Sequence, residues 1–309
     1  MSERELVIIG AGPAGLTAAI YGCRAGLSVL VLERTIAGGQ MRLTGDIENW
    51  PGLGITTGEE LSENMHNQAR AFGAEFMDAM VTGLETAGEG SGGWHTLKTE
   101  GGDIKAQAII VATGAYHKNL DSDKARAMAG RGVSFCAICD GGFYRGKEVA
   151  VVGGGNSALE QAMYLTNHAS KVHVIHRRDE FRADRLVRDR LAKNPKIVTH
   201  LSHEVDDILG TNDVQGLSIK DKKTGKTTEL NTPGVFMFIG NAPHTEFLPE
   251  EIAKAEGGWL VTDTVLRTNV PGIFAAGDVR DTPLRQIVTA AADGALAAMG
   301  AYEYLQGLK

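Results

Sequence analysis

Leu6-Val7-Ile8-Ile9-Gly10-Ala11-Gly12-Pro13-Ala14-Gly15 is the stretch on which the fold turns. Four apolar residues without polar alternation read as a strand buried on both faces, the pattern of a parallel sheet. Glycines 10, 12 and 15 then follow at the spacing a strand-to-helix turn around a pyrophosphate requires. Gly10 supplies the tight bend, Gly12 the close backbone approach and Gly15 the helix-on-strand packing. Ala14 to Ala25 has helical length, and Leu27 to Leu32 forms a second apolar strand. Glu33 closes that strand ~20 residues on, where an acid would hold a ribose hydroxyl. The helix N-terminus offers unpaired amides and the positive end of its dipole to the phosphates.

The arrangement returns later in the chain. Glu148 to Val152 reads as a strand, Gly153-Gly154-Gly155-Asn156-Ser157-Ala158 as the turn, Ala158 to Thr166 as a helix and Lys171 to Ile175 as the next strand. In the place of Glu33 stands His176, followed by Arg177, Arg178 and Arg182. A carboxylate repels a 2′-phosphate and guanidinium groups bind one bidentately, so the second site is expected to take NADPH. Each copy also has a late apolar strand ending in glycine, Ala108 to Gly114 and Val235 to Gly240. A further apolar strand, Val270 to Asp278, ends in Gly277-Asp278, and Arg285-Gln286-Ile287 leads into an Ala-rich helix through Tyr304. The fold class is therefore α/β, with two Rossmann-like, three-layer nucleotide-binding domains.

Length agrees with two domains, since 309 residues exceed the ~150 usual for one. A formal net charge of -7 argues against a general binder of nucleic acid or anionic membranes, which would need a dominant basic surface. The N-terminus lacks the charged leader, apolar core and cleavage site of a secretory signal, and no apolar run approaches the ~18 residues of a membrane span. A cytoplasmic setting is expected. Three cysteines are too few for a secreted disulfide framework, and Cys23 in the first helix reads as a small core residue.

Cys136 and Cys139, in Ser134-Phe135-Cys136-Ala137-Ile138-Cys139-Asp140-Gly141, carry the chemistry. At this spacing one sulfur can resolve a mixed disulfide formed by the other, so the pair can cycle between dithiol and disulfide. Dinucleotide sites in the same chain supply electrons, which points to a disulfide reductase. Half of a zinc site is the competing interpretation, and no second Cys-x-x-Cys completes it; no metal is expected.

From end to end the chain closely resembles the bacterial low-molecular-weight thioredoxin reductases. The likeness runs through the Gly10 loop, Gly38-Gly39-Gln40, Glu48-Asn49-Trp50-Pro51-Gly52, Ala112-Thr113-Gly114, the Cys136 to Gly141 segment, Gly153 to Ser157, the His176 to Arg182 segment and Gly277-Asp278-Val279. It implies a homodimer whose FAD domain, residues 1–115 and 244–309, is split by an inserted NADPH domain, residues 116–243, bearing the cysteine pair. The implied FAD residues are Gly10, Gly12, Pro13, Ala14, Glu33, Arg34, Gly39, Gln40, Asn49, Thr113, Gly114, Gly277, Asp278, Arg285, Gln286 and Ile287. The implied NADPH residues are Gly155, Asn156, Ser157, His176, Arg177, Arg178, Arg182 and Gly240.

The same likeness implies the reaction: NADPH reduces the flavin, the flavin reduces the Cys136–Cys139 disulfide, and the dithiol reduces thioredoxin. It places Cys139 against the flavin, makes Cys136 the thiolate that attacks the protein substrate, and gives Asp140 the role of general acid. Both the dithiol and the nicotinamide site fall on the inserted domain, yet both must reach one flavin. A swivel about Ala115 to Leu120 and Gly240 to Thr245 is the expected solution. The alternative activity is a flavin-dependent NADPH reductase serving another thioredoxin-like, glutaredoxin-like or peroxiredoxin-linked protein.

Overall fold

The computed structural model describes residues 2–44, 46–88, 93–117 and 122–308. The chain divides into two compact units, Met1–Tyr116 with Ala242–Lys309, and His117–Asn241. It passes between them twice, on the short strands Ala115–His117 and Asn241–Pro243, which pair with each other. Of the stretches expected to act as pivots, residues 118–120 lie outside the described residues.

The discontinuous unit is built on a seven-stranded sheet. Its parallel part runs Glu75–Asp78, Val29–Glu33, Ser2–Ile9, Ile104–Val111, and Ile273–Ala275 pairs in parallel with the last of these. An antiparallel hairpin, Val81–Glu85 with His95–Thr99, completes it. The first strand shows why its sequence does not alternate. Leu6 and Ile8 face a core made with the helices, whereas Val7 and Ile9 face a second core on the opposite side of the sheet. Helices Pro13–Arg24 and Ile287–Leu308 pack together on the helical face, closely enough that a Cβ on Gly294 would lie 2.1 Å from the Ala14 carbonyl oxygen. Cys23 packs partly buried against this core, and burial pushes its thiol up.

The continuous unit holds a five-stranded parallel sheet in the order Val133–Ser134, Gly234–Met237, Glu148–Val152, Lys171–His176, Ile197–Leu201. Val149 and Val151 face helix Asn156–Leu165. Ala150 and Val152 face a three-stranded antiparallel sheet, His203–Leu209, Gly216–Asp221 and Thr227–Leu230. The continuous unit is thus three-layered, and the sheet of the discontinuous unit carries an apolar core on each face. The antiparallel layer is absent from the expectations above because its strands are short and largely polar on their outer side.

Several element ends differ from those expected. The first helix starts at Pro13, whose missing N–H is no loss at a first helical position, and ends at Arg24. Leu27 belongs to the turn because its N–H bonds the Gly22 carbonyl, so the second strand begins at Val29. The second glycine-loop helix starts at Asn156 and runs to Leu165. The late strands stop at Val111 and Met237, before their glycines, and the Gly277-Asp278 strand shortens to Ile273–Ala275 with a 3-10 turn after it. The last helix extends to Leu308.

Candidate active site

The first cradle forms where the strand Ser2–Ile9 gives way to helix Pro13–Arg24. Gly10 adopts φ +101°, and a Cβ there would lie 2.5 Å from the Ala112 carbonyl oxygen, so only glycine fits. Gly12 is the opposite case: its backbone is extended, and a Cβ would meet nothing within 4 Å. Space in front of a helix N-terminus, kept clear by a glycine that needs no special φ, is a place for a phosphate group. Glu33 closes the cradle from the next strand. Its Oε2 accepts the Ala11 N–H at 2.8 Å, and its Oε1 accepts the N–H and hydroxyl of Thr35, each at 3.0 Å.

Distant segments converge on this turn. Gly38 donates its N–H to the Ala11 carbonyl at 2.8 Å, and Gly39 abuts the Gly12 backbone. Gln40 donates to the Ala115 carbonyl, Asn49 to the Gln286 side-chain oxygen at 3.1 Å, and the Thr113 hydroxyl to the His244 carbonyl at 2.8 Å. Gly277 lies against Ala14, which brings Asp278 to the cradle; burial pushes the Asp278 carboxyl up to about 6. The Arg34 side chain is exposed, and its charge, after burial, helps to lower the His244 imidazole. The side chain of Arg285 serves the loop itself. Its guanidinium stacks 3.9 Å from the Trp259 ring centroid and donates to the carbonyls of Asp278 and Arg280. Ile287 opens the last helix.

The second cradle repeats the plan in the continuous unit. A Cβ on Gly153 would lie 2.5 Å from the Phe238 carbonyl oxygen, while a Cβ on Gly155 would meet nothing within 4 Å. Gly154 must be glycine for another reason: the His176 ring occupies the position of its missing Cβ, at 2.3 Å. In the first copy the residue ending the second strand bonds the middle residue of the loop; here His176 packs flat under it. His176 is buried, stacks on Phe181, and is lowered by burial and then by the charges of Arg182, Arg178 and Arg177, which favours its neutral form. The three arginines are exposed, with Arg182 tied by its N–H to the Gly154 carbonyl and Arg178 by its carbonyl to Ser202. Ser157 is exposed in the first turn of the helix, and Gly240 is exposed with φ +127°.

Cys136 and Cys139 form a disulfide, with Cα atoms 5.3 Å apart. Cys136 caps the short helix Ala137–Asp140, and its sulfur accepts the Cys139 N–H at 3.1 Å. That amide favours a thiolate once the bond is reduced. Asp140 is raised by burial, against a hydrogen bond from Ser134 that lowers it. Tyr144 is pushed up to about 12 by burial and by the Asp140 charge.

Thr35, Trp259, Asp184 and Asp293 belong to these sites and to none of the motifs, and Ser134, inside the quoted cysteine stretch, was given no role there. Asp184 exchanges two hydrogen bonds with the Asn156 amide and so fixes it at the helix start. Asp293 accepts the Gly277 N–H at 3.0 Å and the Arg280 guanidinium at 2.6 Å, anchoring the turn that carries Asp278.

Phosphate-ready turns in both units, one flanked by an acid and one by arginines, together with a vicinal cysteine pair, define a nucleotide-dependent disulfide oxidoreductase. The model of the pyridine nucleotide-disulphide oxidoreductases matches residues 4–294, and the chain belongs to that family. It is 43% identical over 307 residues to the thioredoxin reductase of Listeria innocua, covering 99% of this chain and 95% of that one. It is 42% identical to the thioredoxin reductase of Bacillus subtilis, covering 100% and 98%. The thioredoxin reductase structure from Streptococcus pyogenes superposes with a TM-score of 0.94 at 41% identity, covering 99% of each chain. The Lactococcus lactis thioredoxin reductase, in its FR conformation, gives 0.67 at 42% identity, covering 98% and 99%.

Proposed function

We propose that this chain is an NADPH-dependent thioredoxin-disulfide reductase. The observation that carries this is the Cys136–Cys139 disulfide in the unit whose glycine turn is flanked by Arg177, Arg178 and Arg182, in a chain matched to thioredoxin reductases over its length. The clear space at Gly12 and Gly155 fits a dinucleotide pyrophosphate in each cradle. The discontinuous unit would hold FAD, through Gly10, Gly12, Glu33, Gly39 and Asp278. The continuous unit would hold NADPH, through Gly155, Asn156, Ser157 and the arginines. When bound, FAD supplies the two-electron relay between a nicotinamide and a disulfide.

The exchange step uses residues of this chain alone. The Cys136 thiolate attacks one sulfur of the thioredoxin disulfide, forming a mixed disulfide and releasing a thiolate, which takes the Asp140 proton. Cys139, giving its proton to the freed Asp140 carboxylate, then attacks the Cys136 sulfur, and the displaced second thioredoxin thiolate takes that proton as the Cys136–Cys139 bond closes again. The protein substrate leaves as a dithiol, and two protons and two electrons have passed to it.

A swivel of the NADPH unit about the two chain crossings is part of this proposal, because a dithiol and a nicotinamide on one unit must both reach one flavin. A homodimer and a cytoplasmic setting follow from the resemblance. Among the described residues no helix is long and apolar enough to cross a membrane. The test is a coupled assay with NADPH, thioredoxin and a disulfide reporter. Cys136→Ser should abolish thioredoxin reduction while NADPH still bleaches the bound flavin; a variant that still turns thioredoxin over would overturn the assignment.

A further inference from the structure

The loop that carries the arginines is pinned to the second glycine turn at both of its ends. It begins at His176, whose ring fills the space beside Gly154. At its far end the Arg182 N–H donates to the Gly154 carbonyl at 2.7 Å. Two residues on, the Asp184 N–H donates to Asn156 Oδ1 at 2.7 Å, and Asp184 Oδ2 accepts from Asn156 Nδ2 at 2.9 Å. Asp184 also stands immediately before helix Arg185–Ala192, where an aspartate ordinarily accepts a first-turn amide of its own helix. Its side chain makes no such cap. The carboxylate is instead turned toward the start of another helix, 28 residues earlier in the chain. It thereby places a negative charge beside the position where phosphates would bind, which Coulomb's law opposes unless another effect outweighs it.

We propose that Asp184 is a positioning residue for NADPH, which clasps Asn156 and so fixes the separation between the pyrophosphate subsite at the helix start and the 2′-phosphate subsite at Arg177, Arg178 and Arg182. This role rests on the reading of the cradle as an NADPH site. A nucleotide that carries a 2′-phosphate must satisfy both subsites at once, and holding them at the right separation before it arrives lowers the cost of binding. NAD lacks that phosphate, so it engages the turn without the arginines. The clasp therefore acts on the choice between the two nucleotides more than on the fold. Asn156 and Asp184 are exposed, and no helix cap is lost with the carboxylate, so its removal should leave the melting temperature close to that of the wild type.

The experiment titrates the flavin-loaded enzyme calorimetrically with NADP+ and with NAD+. The proteins are the wild type, Asp184→Ala, Asp184→Asn, Asn156→Ala, the double variant Asn156→Ala with Asp184→Ala, and Arg177→Ala with Arg178→Ala. Asp184→Ala should weaken NADP+ by roughly two- to tenfold, the net worth of one hydrogen bond, and NAD+ by less. Asp184→Asn keeps an acceptor for Asn156 and sheds the charge, so it should bind NADP+ at least as tightly as the wild type. In the Asn156→Ala background the further loss of Asp184 should weaken nothing. A carboxylate that acts only through its charge gives the opposite sign, with both Asp184 variants binding NADP+ more tightly, and that result would overturn the clasp. Equal weakening of NADP+ and NAD+ by Asp184→Ala would overturn it too, as the mark of a purely structural support. The arginine variant separates the clasp from the reading beneath it. If that variant loses NADP+ while Asp184→Ala does not, the clasp alone fails; if it binds both nucleotides as the wild type does, the NADPH assignment fails and the clasp with it.

Discussion

Gly155→Ala separates the demands of folding from the demands of the nucleotide. Gly155 has φ -94° and ψ 178°, an extended backbone open to any residue, and a Cβ there would touch nothing within 4 Å. The substitution therefore strains nothing in the chain, and by restricting the unfolded state it adds up to about 1 kcal/mol of stability. Its methyl group nevertheless enters the space before the helix Asn156–Leu165, where a pyrophosphate would meet the free amides. Losing one charge-assisted hydrogen bond costs about 1.5–3 kcal/mol, which is roughly 10- to 150-fold in affinity. The assay is a pair of measurements, NADPH titration and thermal unfolding. Gly154→Ala supplies the contrast, because its Cβ would fall 2.3 Å from the buried His176 ring and the protein should melt earlier. A Gly155→Ala protein that melted below the wild type, or bound NADPH equally well, would refute the reasoning.

Replacing Arg177 and Arg178 by Ala should weaken NADPH by roughly tenfold or more for each lost pair and leave NADH almost unaffected, as read from the ratio of the two KM values; equal losses would contradict a 2′-phosphate site. Asp278 should give the flavin-free protein a pH-dependent stability. Its folded carboxyl is raised to about 6 by burial, with Arg285 pulling it down and Asp293 pushing it up. A raised carboxyl stabilises fully below its unfolded value of about 3.9, and that stabilisation is lost as pH climbs through about 6. Melting temperatures of the wild type should accordingly fall relative to Asp278→Asn across that window, and a constant difference would contradict the assignment. Gly294→Ala must force apart the helices Pro13–Arg24 and Ile287–Leu308, at a cost of about 1–3 kcal/mol. Unfolding curves and flavin content of the purified protein should both fall; an unchanged melting curve would show that the crossing can relax.

The parallel strands were legible because burial on both faces writes itself as a continuous apolar run, as in Leu6 to Ile9 and Val149 to Val152. The glycine turns were legible for a related reason: backbone sterics at Gly10 and Gly153 admit no other residue. Their neighbours were less so. Ser134 looks like any strand serine until folding seats its hydroxyl on the Cys136 backbone, and Trp259 declares its part only when Arg285 lies across its ring. Asp293 acts on Gly277 and Arg280 through space, so neither spacing nor periodicity records it. Arg285 shows the converse: the motif named the residue, and the structure shows its guanidinium spent on Trp259 and two loop carbonyls.

The long interruption of the discontinuous unit sets an order on its manufacture. The continuous unit, His117–Asn241, has all its strands in hand once it clears the ribosome. The Gly10 turn is translated at the outset, yet the helix that braces it, Ile287–Leu308, arrives last. A chain cut short before that helix would therefore hold the whole continuous unit while its Gly10 turn still lacked the packing of Gly294 on Ala14.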